Sequence, residues 1–287
     1  MSSADEITKK SRSNLAFAFL ALPAEKRRDI TTFYAFCRRV DDMADDPGIA
    51  LEKRREWLQN CRQWLRAKTM DEPTFAGEVR ALIIKYRISL KLFEDILTGV
   101  ESDLQPVRYS NFSELSEYCY RVASAVGLVS IEIFGYRNSG CRDYAYQLGM
   151  ALQLTNIIRD VETDLQNGGR IYLPLDEMKQ FGYSPDALQQ REYDERFVRL
   201  MEFQATRAKD FFANAKTALP REDRASMVAA EGMRGIYFAL LRKIERDKFR
   251  VFWRKYRLNR AEKLFFLVRQ FVWPFASQVV NCVKRIR

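Results

Sequence analysis

The chain has 287 residues, 47% of them apolar and 30% charged, with a formal net charge of +10, enough to bury a large core as one big domain or two small ones. It contains no histidine, which excludes a Ser-His-Asp triad, a Cys-His pair, a His-ligated zinc and an imidazole general base. With only 12 Gly and 8 Pro there is little turn material for a sheet protein, and a single all-α domain over 1–287 is expected.

In chain order, residues 1–10 lack an apolar signal core, so export is not expected. The first helix carries a polar stripe through apolar neighbours. Tyr34, Arg38, Asp41 and Asp45 stand at offsets 0, 4, 7 and 11, between Phe33, Phe36 and Val40. At about 100° per residue these four fall within roughly an 80° sector of one helix face. Helical patterning is expected over 51–67, 78–99 and 112–134, separated by the turn signals Asp46-Pro47-Gly48, Asp71-Glu72-Pro73 and Gln105-Pro106. Asn138-Ser139-Gly140 introduces a further helix over 142–164 that repeats the first stripe: Gln153, Asn156, Asp160 and Asp164 stand at offsets 0, 3, 7 and 11 among Leu152, Leu154, Ile157 and Ile158. Asn167-Gly168-Gly169 then reads either as a plain helix stop or as a flap that carries Arg170 toward a phosphate. Two more helices are expected over 192–219 and 224–249, divided by Leu219-Pro220-Arg221.

Each stripe is a one-sided ladder of oxygens. Acidic pairs at i and i+4 are common on solvated faces, where like charges cost only a few tenths of a kcal/mol. Two such ladders in apolar helices, with amide and guanidinium partners at matching offsets, are better explained as inward-facing sites whose charge a cation must offset. A hard octahedral ion such as Mg²⁺ takes one or two carboxylates and completes its shell with water and phosphate oxygens. A pair of ladders could therefore grip one diphosphate.

Standard phosphate loops are missing, since neither a Walker A sequence nor a Gly-x-Gly-x-x-Gly after a strand occurs. The five cysteines, Cys37, Cys61, Cys119, Cys141 and Cys282, show no Cys-x-x-Cys spacing and read as reduced cytosolic thiols. Charge is concentrated at the end of the chain: residues 242–287 hold 14 Lys and Arg against 3 Asp and Glu, a net of +11, which leaves −1 for residues 1–241. Phe249, Phe252, Trp253, Tyr256, Phe265, Phe266, Phe271, Trp273 and Phe275 are interleaved with that charge. The mixture suits contact with an anionic membrane surface. Residues 264–280 are short of a span of about 20 residues and are interrupted by Arg269, Gln270 and Pro274. A packed terminal helix with a solvated basic face is the plainer alternative, and nucleic acid is not the expected partner.

At several places the sequence resembles the squalene and phytoene synthases, which join two prenyl diphosphates head to head. The similar runs are Tyr34-Ala35-Phe36-Cys37-Arg38-Arg39-Val40-Asp41-Asp42, Tyr118-Cys119-Tyr120-Arg121-Val122-Ala123-Ser124-Ala125-Val126-Gly127, Ala151-Leu152-Gln153-Leu154-Thr155-Asn156-Ile157-Ile158-Arg159-Asp160-Val161 and Gly169-Arg170-Ile171-Tyr172-Leu173-Pro174, in family order. The resemblance implies a class I isoprenoid synthase helical fold with a central cavity and about three Mg²⁺ ions. It matches Asp41, Asp45, Asn156, Asp160 and Asp164 to the metal-binding positions. It matches Tyr34, Arg38, Gln153, Arg159, Arg170, Tyr172, Tyr237 and Arg254 to substrate contacts, with Tyr34 and Arg38 also placed beside the catalytic acids. Tyr118, Val122 and Val126 would line the hydrocarbon pocket, although core packing explains the two valines equally well. Ser11, Arg12, Ser13 and Asn14 fall where a second diphosphate is contacted, and Asn14-Leu15 stands where the family usually has Ser-Phe.

The implied reaction ionises one prenyl diphosphate to an allylic cation, which attacks the 2,3 double bond of a second. Proton loss then closes a cyclopropane. The run from Arg121 to Tyr136 is most similar to bacterial presqualene diphosphate synthases of the hopanoid pathway, with phytoene synthases next, so farnesyl diphosphate is the favoured substrate. Whether reduction by NADPH follows is left open. A class I terpene cyclase or head-to-tail prenyl synthase would share Asp41-Asp42-Met43-Ala44-Asp45 but not the second ladder. A helical membrane adaptor would explain the tail but neither ladder. The expected location is the cytoplasm, peripheral to the membrane.

Overall fold

Length and apolar content are spent on helices packed around one long central member. The computed structural model describes residues 18–259 and 261–266. Its helices are α1 (Ala24–Asp45), α2 (Leu51–Arg66), α3 (Thr74–Tyr86), α4 (Leu90–Ser102), α5 (Phe112–Cys119), α6 (Ala125–Phe134), α7 (Gly140–Gln166), α8 (Leu175–Gln180), α9 (Pro185–Gln189), α10 (Glu195–Ala218) and α11 (Val228–Arg246). Among the described residues the only extended pairing is an isolated parallel bridge between Arg108 and Ile171. The all-α expectation is met.

Helix α7 is the axis of the fold. It packs along α10 and touches α5, α6 and α11, burying Tyr144, Leu148, Met150, Leu154, Ile157, Ile158 and Val161. Helix α1 lies against α3, α4 and α6. There Phe33 and Phe36 meet Phe93 edge-on and tilted, at centroid separations of 5.6 and 5.7 Å. Rings of Trp57, Trp64 and Phe75 continue this cluster.

Two of the expected helices are modified. The pattern over 78–99 is broken at Arg87, whose left-handed backbone (φ 51°) closes α3 by sending its N–H back to the carbonyls of Ile83 and Ile84. The two apolar faces on either side merge into one pattern, which hides the break. The run 112–134 is continuous but contains a π turn at Tyr120–Ser124 between α5 and α6. Its cause is close packing: a Cβ on Gly149 would stand 2.5 Å from Ser124 Cα, and one on Gly99 2.7 Å from a Val122 methyl. The π turn is pinched between α7 and α4, and Ser124 Oγ donates to the Tyr146 carbonyl at 2.9 Å. At the other end, α11 stops at Asp247 rather than Phe249, and Lys248 and Phe249 turn with positive φ.

Candidate active site

Three helix C-termini meet, and each carries an acid. Asp41 and Asp45 occupy the end of α1, Asp103 caps α4, and Asp160 and Asp164 lie near the end of α7. A helix C-terminus carries about half a negative charge, which a Lys or Arg in the last turn usually complements. None of these three has a basic residue there. Two like charges about 6 Å apart at an effective dielectric near 20 repel by about 3 kcal/mol, so carboxylates gathered at such ends require cations.

Part of that demand is met by arginines. Arg38 pairs with Asp42 at 2.8 Å, Arg170 with Asp45 Oδ1 at 2.9 Å, and Arg159 grips both oxygens of Asp160, with Nε 2.8 Å from Oδ1. Burial works against the charge of Arg159, but Asp160 and Tyr237 outweigh it and raise its pKa. Tyr237 is thereby placed beside the second ladder. Asp41 and Asp164 have no ion pair among the described residues. Burial, with Asp45, Asp103 and Asp42 adding to it against Arg38, pushes Asp41 up to about 7. Burial and the neighbouring Asp160 push Asp164 up to about 8. The Asp41 side chain is nevertheless open to solvent, so a cation can reach it.

An amide oxygen is left over as well. Asn156 donates through Nδ2 to Gln153 Oε1 at 3.2 Å, while its own Oδ1 is buried without a partner. An orphaned amide acceptor on the helix face that also carries Asp160 and Asp164, with two carboxyls that resist ionisation, supplies the oxygen types a hard divalent ion takes. Asp41, Asp45, Asn156, Asp160 and Asp164 therefore fit Mg²⁺. Among the described residues no three acidic, Cys or His side chains stand close enough to hold an ion unaided, so water and substrate oxygens must complete its shell.

Arg170 arrives by the turn that ends α7. Gly168 and Gly169 take positive φ of 76° and 69°, conformations that cost a side-chain-bearing residue, and the Arg170 N–H returns to the Asp164 carbonyl at 3.0 Å. The helix stop is also what delivers Arg170 to Asp45. A parallel run onto 107–110 anchors the segment: Ile171 N donates to the Val107 carbonyl and Leu175 N to that of Tyr109.

Asp103 was not singled out in the sequence. Its Oδ2 accepts the Tyr118 hydroxyl at 2.8 Å and its Oδ1 that of Tyr172 at 2.7 Å, while its carbonyl oxygen accepts Arg170 at 2.7 Å. The signal available was an acid at the C-cap of a helix, where the dipole disfavours it; as a lone residue before Leu104-Gln105-Pro106 it reads as turn chemistry. The rings of Tyr118 and Tyr172 stack at 5.1 Å, and Tyr109 packs against both.

The remaining expected residues divide. Tyr34 is half-buried on α1 with its ring edge-on to Phe19. Val122 and Val126 are half-buried against the core beyond Tyr118, Val122 within the π turn. Arg254 is not brought to the ladders: its side chain is 61% exposed and pairs with Asp247 at 3.0 Å. Ser11, Arg12, Ser13 and Asn14 lie outside the described residues.

Residues 8–262 match the family model for squalene/phytoene synthase. The chain belongs to the squalene/phytoene synthase family. This family condenses prenyl diphosphates head to head, and relatives extend along nearly the whole chain. A 15-cis-phytoene synthase of Synechocystis sp. is 31% identical over 276 residues, covering 91% of this chain and 81% of its own. A phytoene synthase of Mycobacterium tuberculosis is 32% identical, covering 90% and 86%. A crystal structure of a dehydrosqualene synthase with ligand superposes with a TM-score of 0.83 at 27% identity, covering 95% of both chains. A squalene synthase from Alicyclobacillus acidocaldarius, 23% identical over 86% of this chain and 93% of its own, shares the fold with a TM-score of 0.70.

Proposed function

We propose that this member of the squalene/phytoene synthase family condenses two farnesyl diphosphates to presqualene diphosphate, releasing diphosphate. The carrying observation is the meeting of three acid-bearing helix C-termini at which Asp41 and Asp164 are left without an ion pair, with the Asn156 carbonyl oxygen unsatisfied further back on the same face of α7. Such a site binds a diphosphate only together with cations. Asp41, Asp45, Asn156, Asp160 and Asp164 hold Mg²⁺, which when bound supplies the positive charge that makes diphosphate a competent leaving group. Arg38, Arg159 and Arg170, paired with carboxylates here, would offer their planar guanidinium forks to the phosphate oxygens. Tyr34, Gln153 and Tyr237 fix the orientation of the diphosphate end. Tyr118, Val122 and Val126 shape the apolar room beyond, where the allylic cation is kept from water.

With no imidazole in the chain, the proton lost on cyclopropane closure goes to a phenol oxygen or to the departing diphosphate. Preference for the farnesyl substrate rests on the similarity of residues 121–136 to presqualene diphosphate synthases. The curated relatives named phytoene synthases support a second reading, condensation of two geranylgeranyl diphosphates. Mass spectrometry of products formed with Mg²⁺ from either substrate, with and without NADPH, separates the two. A C30 cyclopropyl diphosphate unchanged by NADPH supports the first reading, a C40 polyene the second, and no coupled product in any tube would overturn both and favour a membrane adaptor.

The partner surface is the basic segment 242–287, which contacts anionic lipid from the cytoplasmic side. Trp253, Leu264 and Phe265 are 62%, 53% and 60% exposed in that strongly positive stretch, and such residues insert at an interface. No helix among the described residues is long and apolar enough to cross a membrane.

A further inference from the structure

Asp103 has been given no chemical step of its own, yet it touches three of the site's residues. Its two carboxylate oxygens take one phenol each, from Tyr118 and Tyr172, and its carbonyl oxygen takes Arg170. A phenol oxygen has one proton and two lone pairs. The two phenol oxygens lie 3.4 Å apart, so without a shared acceptor one hydroxyl would donate to the other and turn one proton outward. With Asp103 between them both protons are committed, and only lone pairs remain unengaged on each oxygen. Arg170 bridges this carboxylate's backbone to Asp45, which keeps the tyrosine pair in register with the first ladder.

We propose that Asp103 is a positioning residue for the condensation: it fixes the Tyr118 and Tyr172 hydroxyls so that electron-rich oxygen, and no O–H proton, faces the developing allylic cation. The proposal rests on the reaction assigned above. When the C1–O bond of the first substrate breaks, its electron pair leaves with diphosphate and an allylic cation remains. Preoriented lone pairs stabilise that charge without reorganisation at the moment of ionisation, and the stacked rings add their faces. A hydroxyl turned the other way would oppose the cation with its positive end and lengthen the time in which water can capture it.

Asp103→Asn is the test, since an amide donates from one side and can accept only at the other. The expected result is a kcat lower by about 10- to 100-fold with KM for the prenyl diphosphate changed less than about threefold. The ratio of prenyl alcohol to coupled product should rise severalfold, a readout that the folded fraction of the variant does not move. In a Tyr118→Phe/Tyr172→Phe background the same substitution should add less than about a twofold loss, because residues acting through one another are not additive. Ring-labelled tyrosine resonances, assigned from the two single Phe variants, should shift for Tyr118 and Tyr172 in Asp103→Asn. Unmoved resonances, or coupling by the wild type with an unchanged product ratio in the variant, overturn the role of Asp103 alone. A wild type that couples neither substrate overturns the assigned reaction, and the role of Asp103 in it, whatever the resonances do.

Discussion

Asp41 and Asp160 occupy equivalent steps of their ladders but stand in opposite electrostatic states, which separates their roles in stability from the binding role proposed for both. Asp41 is unpaired and held at about 7, so ionising it costs folding free energy; Asp160 is gripped by Arg159. Both Asp41→Asn and Asp160→Asn should lower turnover at saturating Mg²⁺ by about 100-fold or more, the scale of losing one preorganised electrostatic contact. Their melting temperatures should move apart. At pH 8 without metal, Asp41→Asn should melt higher than the wild type, whereas Asp160→Asn should lose about 1–2 kcal/mol by stranding Arg159, a figure kept small because the pair is partly open to solvent. Near-wild-type turnover in either variant would sink the metal ladders. The pH dependence has a definite sign. Asp41 and Asp164 have folded pKa values of about 7 and about 8, above the ordinary carboxylate value near 4. Their contribution to stability is therefore full below about pH 4 and is lost as pH rises through 7 and 8. A divalent ion needs both deprotonated, so the rise in melting temperature given by Mg²⁺ should be larger at pH 8.5 than at pH 6; calorimetric scans with an equal or smaller rise at the higher pH would contradict this. The ladders were legible in the sequence because residues at i, i+3 and i+4 share a helix face whatever surrounds it, whereas Arg159 was singled out only through the family resemblance. Asp103 was not, because its meaning arises only when α1, α4 and α7 bring their ends together.

Among the elements, the α5–π–α6 run shows how a helix assigned correctly in extent can differ in phase. A single α-helix over 112–134 follows from its apolar pattern, but Tyr118 and Ser124 are set by an extra residue in one turn, forced where α7 presses on the backbone at Gly149. A glycine in a helical pattern announces only that something approaches closely. The partner is a helix 25 residues away in sequence, and periodicity holds no record of it. Gly149→Ala should expose this dependence. Its Cβ would lie 2.5 Å from Ser124 Cα and 2.6 Å from Ser124 N, backbone atoms that cannot swing aside as a side chain can. Overpacking of this kind costs about 1–3 kcal/mol or more, and because the strain enters the turn after Tyr118, turnover should fall further than stability alone explains. Urea melts and kcat measured on the same preparation check both; a variant as stable and active as wild type would mean that the π turn relaxes freely to α. The break at Arg87 was hidden for a related reason, since the apolar faces of α3 and α4 run in nearly continuous phase across it.

For the whole molecule, charge is divided between two jobs. Residues 1–241 sum to −1, and residues 242–287 to +11. A site that concentrates carboxylates needs neutralising from within, by Arg38, Arg159 and Arg170 or by metal, and the basic tail does not supply it: Arg254, expected there, pairs with Asp247 in solvent instead. The net positive charge of the tail, +11 over residues 242–287, is what the proposed contact with an outside partner draws on. A field of one sign beside exposed aromatic and aliphatic side chains attracts an anionic bilayer at about 1 kcal/mol per basic residue near the surface, and it weakens as salt shortens the Debye length. Substrates with long prenyl chains make the location useful, because they partition into the same bilayer. The full chain should therefore sediment with vesicles containing phosphatidylglycerol at low ionic strength, remain largely in solution with purely zwitterionic vesicles, and be released from the anionic ones at about 0.5 M salt. Reversing two charges on the described part of this face, as in Lys243→Glu with Arg246→Glu, should weaken sedimentation severalfold while the Mg²⁺-dependent melting shift stays as in wild type, since neither residue touches the ladders. Equal binding to zwitterionic vesicles, insensitive to salt, would instead assign the contact to apolar insertion alone.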